Sequence, residues 1–340
     1  QPKYKKGGYM PEFRQDWATK EWVIIATERA KRPEDFTKGR ETKKTLPEKA
    51  DKCPFCPGNE DKTPPSLYTI QNNGAWKLRV VQNKFAALQP NLTIQRKKVG
   101  KFLKVDGFGV AEVVIETPKH NETIANMPDE DVKNIVTAYK DRYHEIAKGQ
   151  HICLINIFRN HGQKAGTSLE HPHSQIIATP IVPPHIRDQI TQTILSSDTY
   201  GTCIYCDIIK EELNQKERVI LETEHFASIA PFASRYPFEI RIYPKKHNCS
   251  FGDISDAGIT DMAYILKATL RKLHTALADP DYNYMIRSGP TDYVNVRHYH
   301  WYLEILPKLT TTAGFELGTG IFINVTLPEQ CAKVLREVKE

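Results

Sequence analysis

The chain lacks any long apolar run. In 340 residues nothing approaches the roughly 18 consecutive apolar positions that a membrane-spanning helix needs, which excludes a helical membrane protein. No apolar stretch follows Gln1-Pro2-Lys3-Tyr4, so the start does not read as a secretory signal. The first residue is not methionine, and Met10 is a candidate natural start. Neither charge dominates: 47 Lys+Arg against 41 Asp+Glu leave a formal +6. Basic runs such as Arg96-Lys97-Lys98 read as solvated faces. No basic stripe interleaves with aromatics, so no nucleic-acid partner is expected. Seven cysteines are too few for a disulfide-stapled scaffold, in a chain too large to need one. Four of them form two Cys-x-x-Cys pairs, Cys53/Cys56 and Cys203/Cys206, which points to metal in a reducing, cytoplasmic compartment. Cys153, Cys249 and Cys331 read as ordinary thiols.

What is present is the composition of a soluble globular protein, 40% hydrophobic and 26% charged, with length for about two domains. The chemistry concentrates in Ser168-Leu169-Glu170-His171-Pro172-His173-Ser174-Gln175. An apolar run, 152–158, and a Gly-rich polar loop precede it, and a second apolar run, 176–180, follows. Such short runs read as buried strands. His171 and His173 then open a strand and face the same way, because side chains alternate along a strand. Two imidazoles on one face, a serine before and a glutamine after, suggest an attacking histidine, a neighbour that holds it, and donors for an anion.

In chain order, a strand around Trp22–Ile25 is flanked by Arg14, Arg29 and Arg32. After a charged loop come the Cys53 knuckle, strands near 78–83 and 109–116, and Pro118-Lys119-His120. A helix spans about 128–148, with acidic residues at its start and Gly149 at its end. The strand at 152–158 and the His-Pro-His segment follow. The same order then recurs: Cys203-Ile204-Tyr205-Cys206, strands at 225–231 and 238–243, His247, a helix over about 256–277, a strand at 284–287, and His298-Tyr299-His300. His120 to His171 and His247 to His298 span the same interval. Laid without a gap, His171 falls on His298, His173 on His300 and Pro180 on Pro307. This is an internal duplication. In that alignment Trp301 and Tyr302 replace Ser174 and Gln175, so the first half is the intact one. The expected units are 1–192, the catalytic one, and 193–340, each with a zinc knuckle.

Each half offers two Cys and distant histidines, the ligand set of tetrahedral zinc. The first site is Cys53, Cys56, His120 and His171. The second is Cys203, Cys206, His247 and either His298 or His300. A pooled four-cysteine site is the rival arrangement, disfavoured because each half carries its own histidines.

With these residues in place, the chain resembles the galactose-1-phosphate uridylyltransferase family of the histidine-triad superfamily. Phe158-x-Asn160-x-Gly162-x3-Gly166-x-Ser168-x2-His171-Pro172-His173-x-Gln175 carries the likeness, with Arg29-Ala30-Lys31-Arg32-Pro33 and the Asn83 segment. Residues 230–240 and 314–320 are most similar to the ADP-glucose phosphorylase branch. The resemblance implies an α+β fold, two histidine-triad-like units in an antiparallel half-barrel sheet with helices packed on it, and a homodimer. It implies one to two zinc ions per chain and makes His300 the fourth ligand of the second site. Its activity is nucleotidyl transfer, UMP or AMP, between a nucleoside diphosphate sugar and a sugar 1-phosphate or phosphate. His173 is the implied nucleophile, with Gln175 and Ser168 beside it. Arg29, Arg32, Asn83, Asn160, Gly166 and Glu316 are implied on the substrate. Two departures unsettle uridine and galactose as substrates: Lys84 stands where uridylyltransferases place Asp, and Phe322 where they place a hexose-reading Gln. A non-catalytic, zinc-scaffolded nucleotide-binding module is the alternative, and the intact His173 and Gln175 argue against it.

Overall fold

The computed structural model describes residues 10–26, 35–36 and 45–339, so Arg29 and Arg32 lie outside the described residues. Ten strands form one antiparallel sheet whose order reads outward from a centre. On one side lie β8 (Leu154–His161), β9 (His173–Thr179), β7 (Val110–Ile115), β4 (Ala75–Gln82) and β3 (Ser66–Asn72). On the other lie β13 (Tyr282–Arg287), β14 (Tyr302–Pro307), β12 (Ile240–Pro244), β11 (Phe226–Ile229) and β10 (Val219–Glu222). β8 and β13 pair with each other and join the halves.

Both long helices form where the apolar spacing places them, and both lie on one face of the sheet. α1 (Asp129–Ala147) buries Val132, Ile135, Val136 and Tyr139. α4 (Asp256–Leu277) starts at Ser255, whose side chain accepts from the Gly258 N–H, and buries Ile259, Met262, Leu266 and Leu270. They close over Leu78, Val114, Ile157, Ile240, Leu303 and Ile305 in one core that runs through both halves. Each such side chain, fully buried, is worth about 1.5–3 kcal/mol. The expected boundary at 192/193 falls inside α2 (Pro184–Tyr200). Among the described residues no helix is long and apolar enough to cross a membrane.

The opposite face carries the cysteines. Cys53, Phe55 and Cys56 pack on Val81, Val113 and Ile115 of the first half. Cys203 and Tyr205, at the start of α3 (Ile204–Gln215), pack on Ala227, Ile229, Tyr243 and Tyr302 of the second. The strand expected near the N-terminus is a hairpin, β1 (Glu12–Gln15) with β2 (Trp22–Ile25), extended by β15 (Phe322–Asn324). A separate hairpin, β5 (Arg96–Val99) with β6 (Phe102–Val105), joins no larger sheet. Short α5 (Gly314–Thr319) and α6 (Pro328–Glu337) flank β15.

The strand ladders correct the gapless repeat alignment. Gln175 pairs with Phe158, and Phe158 pairs with Met285 across the centre. The residue paired with Met285 in the second half is Glu304, not Tyr302. Nineteen positions separate Met285 from Glu304, against seventeen between Phe158 and Gln175. β14 is therefore offset by two residues: Tyr302 occupies the place of His173, Glu304 that of Gln175, and His300 that of His171. The knuckle aromatics agree. Phe55 lies 5.5 Å from His173 and 5.9 Å from His171, ring to ring, and Tyr205 lies 5.6 Å from Tyr302 and 6.5 Å from His300. A slip of two keeps every side chain on its face, so hydrophobic alternation cannot detect it; hydrogen-bond register can.

Candidate active site and metal centres

Two four-residue clusters stand on the cysteine-bearing face, Cys53, Cys56, His120 and His171, and Cys203, Cys206, His247 and His300. Within each, the ligand atoms lie within 4.8 Å of one another. Backbone carbonyls fix how three of the imidazoles face. His171 Nε2–H donates to the Thr117 carbonyl at 2.8 Å, His300 Nε2–H to Pro244 at 2.9 Å and His247 Nε2–H to Val296 at 3.0 Å. A carbonyl only accepts, so each Nδ1 keeps its lone pair and turns it towards a cysteine, 3.3–3.6 Å away. His120 Nδ1 also faces Cys56, at 3.6 Å. Burial pushes the His171 imidazole down to about 4, which keeps it neutral, as a ligand must be. His298 is outside the cluster; only its carbonyl meets Cys203 Sγ, at 3.8 Å.

His173 is the first residue of β9 and is 9% exposed. Its Nδ1–H donates to the His171 carbonyl at 2.8 Å, which leaves the lone pair on Nε2. Burial pushes its proton affinity below the ordinary imidazole value. Neutral and locked in one tautomer, the ring carries an Nε2 lone pair with a fixed direction.

Buried polar groups brace β9 from the helix side. Arg159 of β8 bonds both oxygens of Glu116, at 3.1 and 3.0 Å, and Tyr282 OH at 3.1 Å. Burial works against the Arg159 charge, but Glu116 outweighs it and the guanidinium holds its proton more firmly than usual. Tyr139 OH meets Ser174 Oγ at 2.7 Å and Tyr284 OH at 2.6 Å. Ser168 and Gln175 make no side-chain hydrogen bond among the described residues, so their donors remain available. Asn160 shares the face of His173, since Phe158 pairs with Gln175 and each lies two residues from its partner. The intervening loop turns at Gly162 and Gly166, both at positive φ.

The other predicted residues stand apart. Asn83 follows β4; its N–H donates to Ala111 at 2.9 Å and its Oδ1 accepts from Phe85 N–H at 3.0 Å. Glu316 caps α5, accepting from Ala313 N–H at 3.0 Å, and no contact joins it to His173 among the described residues. Lys84 is exposed, while Phe322 packs at 5.2 Å on Tyr236.

Sequence reasoning missed a column from the other half that grips the loop before His173. Asp279 accepts from His161 Nε2 at 2.8 Å, Asp281 from Lys164 N–H at 2.8 Å, and Asn283 donates to Asn160 Oδ1 and the Ala165 carbonyl, each at 2.8 Å. Their alternate spacing ahead of an apolar strand was the available signal. In the second half, the face equivalent to that of His173 is filled. Arg235, Arg287 and Arg241 surround Glu304 at 2.6, 2.9 and 3.5 Å, and Asp16 reaches Arg241 at 2.7 Å.

Comparison with known proteins places this geometry. A family model described as the N-terminal domain of galactose-1-phosphate uridyl transferase matches residues 3–183, and one described as a domain of unknown function matches 124–340. The chain is 40% identical over 333 residues to an ADP-glucose phosphorylase of Arabidopsis thaliana, covering 96% of this chain and 93% of that protein. It is 31% identical to a galactose-1-phosphate uridylyltransferase of Thermotoga maritima, covering 97% and 99%. A solved structure of an Arabidopsis thaliana ADP-glucose phosphorylase with bound ADP-glucose matches with a TM-score of 0.83 at 38% identity, over 97% of this chain and 99% of that one.

Proposed function

This chain belongs to the galactose-1-phosphate uridylyltransferase family, and from that premise we propose that it transfers a nucleotidyl group through His173, taking AMP from an ADP-sugar at least as well as UMP from a UDP-sugar, with inorganic phosphate as an acceptor. The observation that carries the transfer is the fixed imidazole: Nδ1–H is held by the His171 carbonyl and Nε2 is free to attack. Nε2 forms a bond to the α-phosphorus, the bond from that phosphorus to the bridging oxygen breaks, and sugar 1-phosphate leaves. An oxygen of inorganic phosphate then attacks the same phosphorus, the P–N bond breaks, and ADP departs with His173 restored. Splitting the transfer gives ping-pong kinetics. Gln175 donates to a non-bridging oxygen where charge gathers, and Ser168, Asn160 and the loop ending at Gly166 hold the outer phosphate. Arg29 and Arg32 fit the phosphate of the sugar, since a guanidinium forks onto phosphate oxygens, and Asn83 lies against the ribose. Glu316 belongs to the sugar end.

Zinc suits both clusters, two soft thiolates and two imidazoles each, and when bound it would supply rigidity by fixing His171, whose carbonyl holds His173. We read the chain as two histidine-triad-like units, divided near 192/193, in a cytoplasmic homodimer. The free cysteines fit a reducing compartment, and Phe315 and Leu317, 46% and 77% exposed on α5, fit a surface that a second subunit covers.

The adenylyl reading is supported by the higher identity to the phosphorylase, 40% against 31% to the uridylyltransferase. The test compares kcat/KM for ADP-glucose with phosphate against UDP-glucose with galactose 1-phosphate, on one preparation. The ADP pair should do at least as well. A preference of about a hundredfold for the uridine pair, roughly 2.7 kcal/mol of transition-state discrimination, would reverse the assignment. In parallel, His173→Ala should gain no nucleotide by intact mass; if it does, another residue is the nucleophile.

A further inference from the structure

Asn283 lies in β13, a strand of the half that carries no nucleophile, and pairs across the centre of the sheet with Asn160. Its Nδ2 touches two atoms, Asn160 Oδ1 and the backbone carbonyl of Ala165, both at 2.8 Å. The second contact fixes the chemistry of the first. A carbonyl oxygen can only accept, so the Asn283 atom facing Ala165 must be the amide NH2. The remaining hydrogen of that NH2 needs an acceptor, so Asn160 must present its oxygen. The NH2 of Asn160 is thereby turned away from β13, on the face it shares with His173.

We propose that Asn283 is a positioning residue that sets the hydrogen-bonding polarity of Asn160, making it a donor to an anionic phosphate oxygen of the substrate. The same contact with Ala165 ties down the end of the loop that turns at Gly166. Asparagine has no intrinsic preference between its two amide faces. Unassisted, Asn160 would be spread over the several staggered orientations of its side-chain torsions and both amide flips, only about one in ten of which aims the NH2 at a phosphate oxygen. The proposal rests on the nucleotidyl-transfer reading of the site.

The test measures the rate of the first half-reaction in a single turnover, by quenched-flow and intact mass with ADP-glucose, in a double-mutant cycle of Asn160→Ala and Asn283→Ala, with Asn283→Asp beside it. Asn283→Ala frees Asn160 to rotate and should slow nucleotidylation about tenfold. Asn283→Asp, nearly isosteric, should be worse than Asn283→Ala, because its carboxylate repels the Ala165 carbonyl and draws the Asn160 NH2 away from the phosphate. A residue with only a packing role gives the opposite rank. In the Asn160→Ala background, Asn283→Ala should cost no more than about twofold. The inference is overturned if Asn283→Ala slows both backgrounds by the same factor, or if Asn283→Asp keeps the wild-type rate. Metal content and melting temperature verify that each variant folds, and Asn283→Ser replaces Asn283→Ala in the cycle if that chain does not. A wild-type protein that gains no nucleotide would instead sink the transfer reading itself.

Discussion

The Arg159–Glu116 pair offers the sharpest test of how His173 is held. Arg159 projects from β8, Glu116 follows β7, and β9, which begins at His173, runs between those strands. The pair therefore reaches across two inter-strand spacings, roughly 9.6 Å in all, beneath the strand of the nucleophile. Only two long side chains meeting end to end can do that. The side chains are 2% and 0% exposed, and Arg159 supplies every side-chain hydrogen bond that Glu116 makes among the described residues. Arg159→Met removes the cation and strands a buried carboxylate. Breaking a buried pair from one side costs about 3–5 kcal/mol. At an unfolding entropy of about 2.1 cal/mol/K per residue, a chain of 340 residues shifts by roughly 1.4 °C per kcal/mol, so the melting temperature should fall by about 4–7 °C. Replacing both members, Arg159→Met with Glu116→Leu, removes the stranded charge and should recover most of that loss, since well-packed apolar substitutes for buried pairs are often neutral. Calorimetry on wild type, both single variants and the double variant gives the coupling. If Arg159→Met melts within about 2 °C of wild type, or the double variant loses the sum of the singles, the brace described here is not one.

Three more outcomes follow from particular atoms. A Cβ on Gly162, at φ 83°, would come within 2.1 Å of Asp281 Oδ1, so Gly162→Ala should slow nucleotidylation tenfold or more with metal content unchanged; a wild-type rate would refute the loop geometry. His300→Ala should lose one of two metal equivalents in elemental analysis while His298→Ala keeps both, and the reverse result would restore the gapless alignment. Burial opposes the Glu304 charge, but Arg235, Arg287 and Arg241 outweigh it and hold its carboxyl below the ordinary 4.5; Asp16 is likewise held low, by Arg241 above all. Because the folded values lie below the unfolded ones, this stability is present above about pH 4.5 and is lost as pH falls through the folded values. Thermal melts should therefore drop steeply below about pH 4.5, and less steeply in Glu304→Gln; a flat wild-type profile down to pH 3 would contradict the sign.

Much of this was legible in the chain. Helical periodicity and terminal charge located α1 within a residue or so of its ends, and the apolar stripe of α4 did the same. Cysteine spacing and the recurring order of elements brought out both Cys/His clusters. What escaped was register. His300 came from the family resemblance and not from the repeat, while Tyr302 could be told from its neighbours only by which residue it opposes, a property of two strands distant in sequence. Asp281 and Asn283 escaped for a related reason. Their value lies in what β8 presents to them, whereas their own segment reads as the polar lead into a short strand, expected to begin at Tyr284 and found to begin at Tyr282.

The central pairing of β8 with β13 also has a consequence in time. His173, the loop before it and the first cysteine cluster all lie before residue 180, yet the groups that grip the loop lie beyond residue 278. A chain emerging from the ribosome at about 5–20 residues per second carries every reacting group many seconds before it carries their clamp. The contact between Phe158 and Met285 must be closed late and over a long loop, the kind of step that slows folding. The loop before His173 is thus held in its final geometry only once the chain is complete, because Asp279, Asp281 and Asn283 are among the last parts of the sheet to be made.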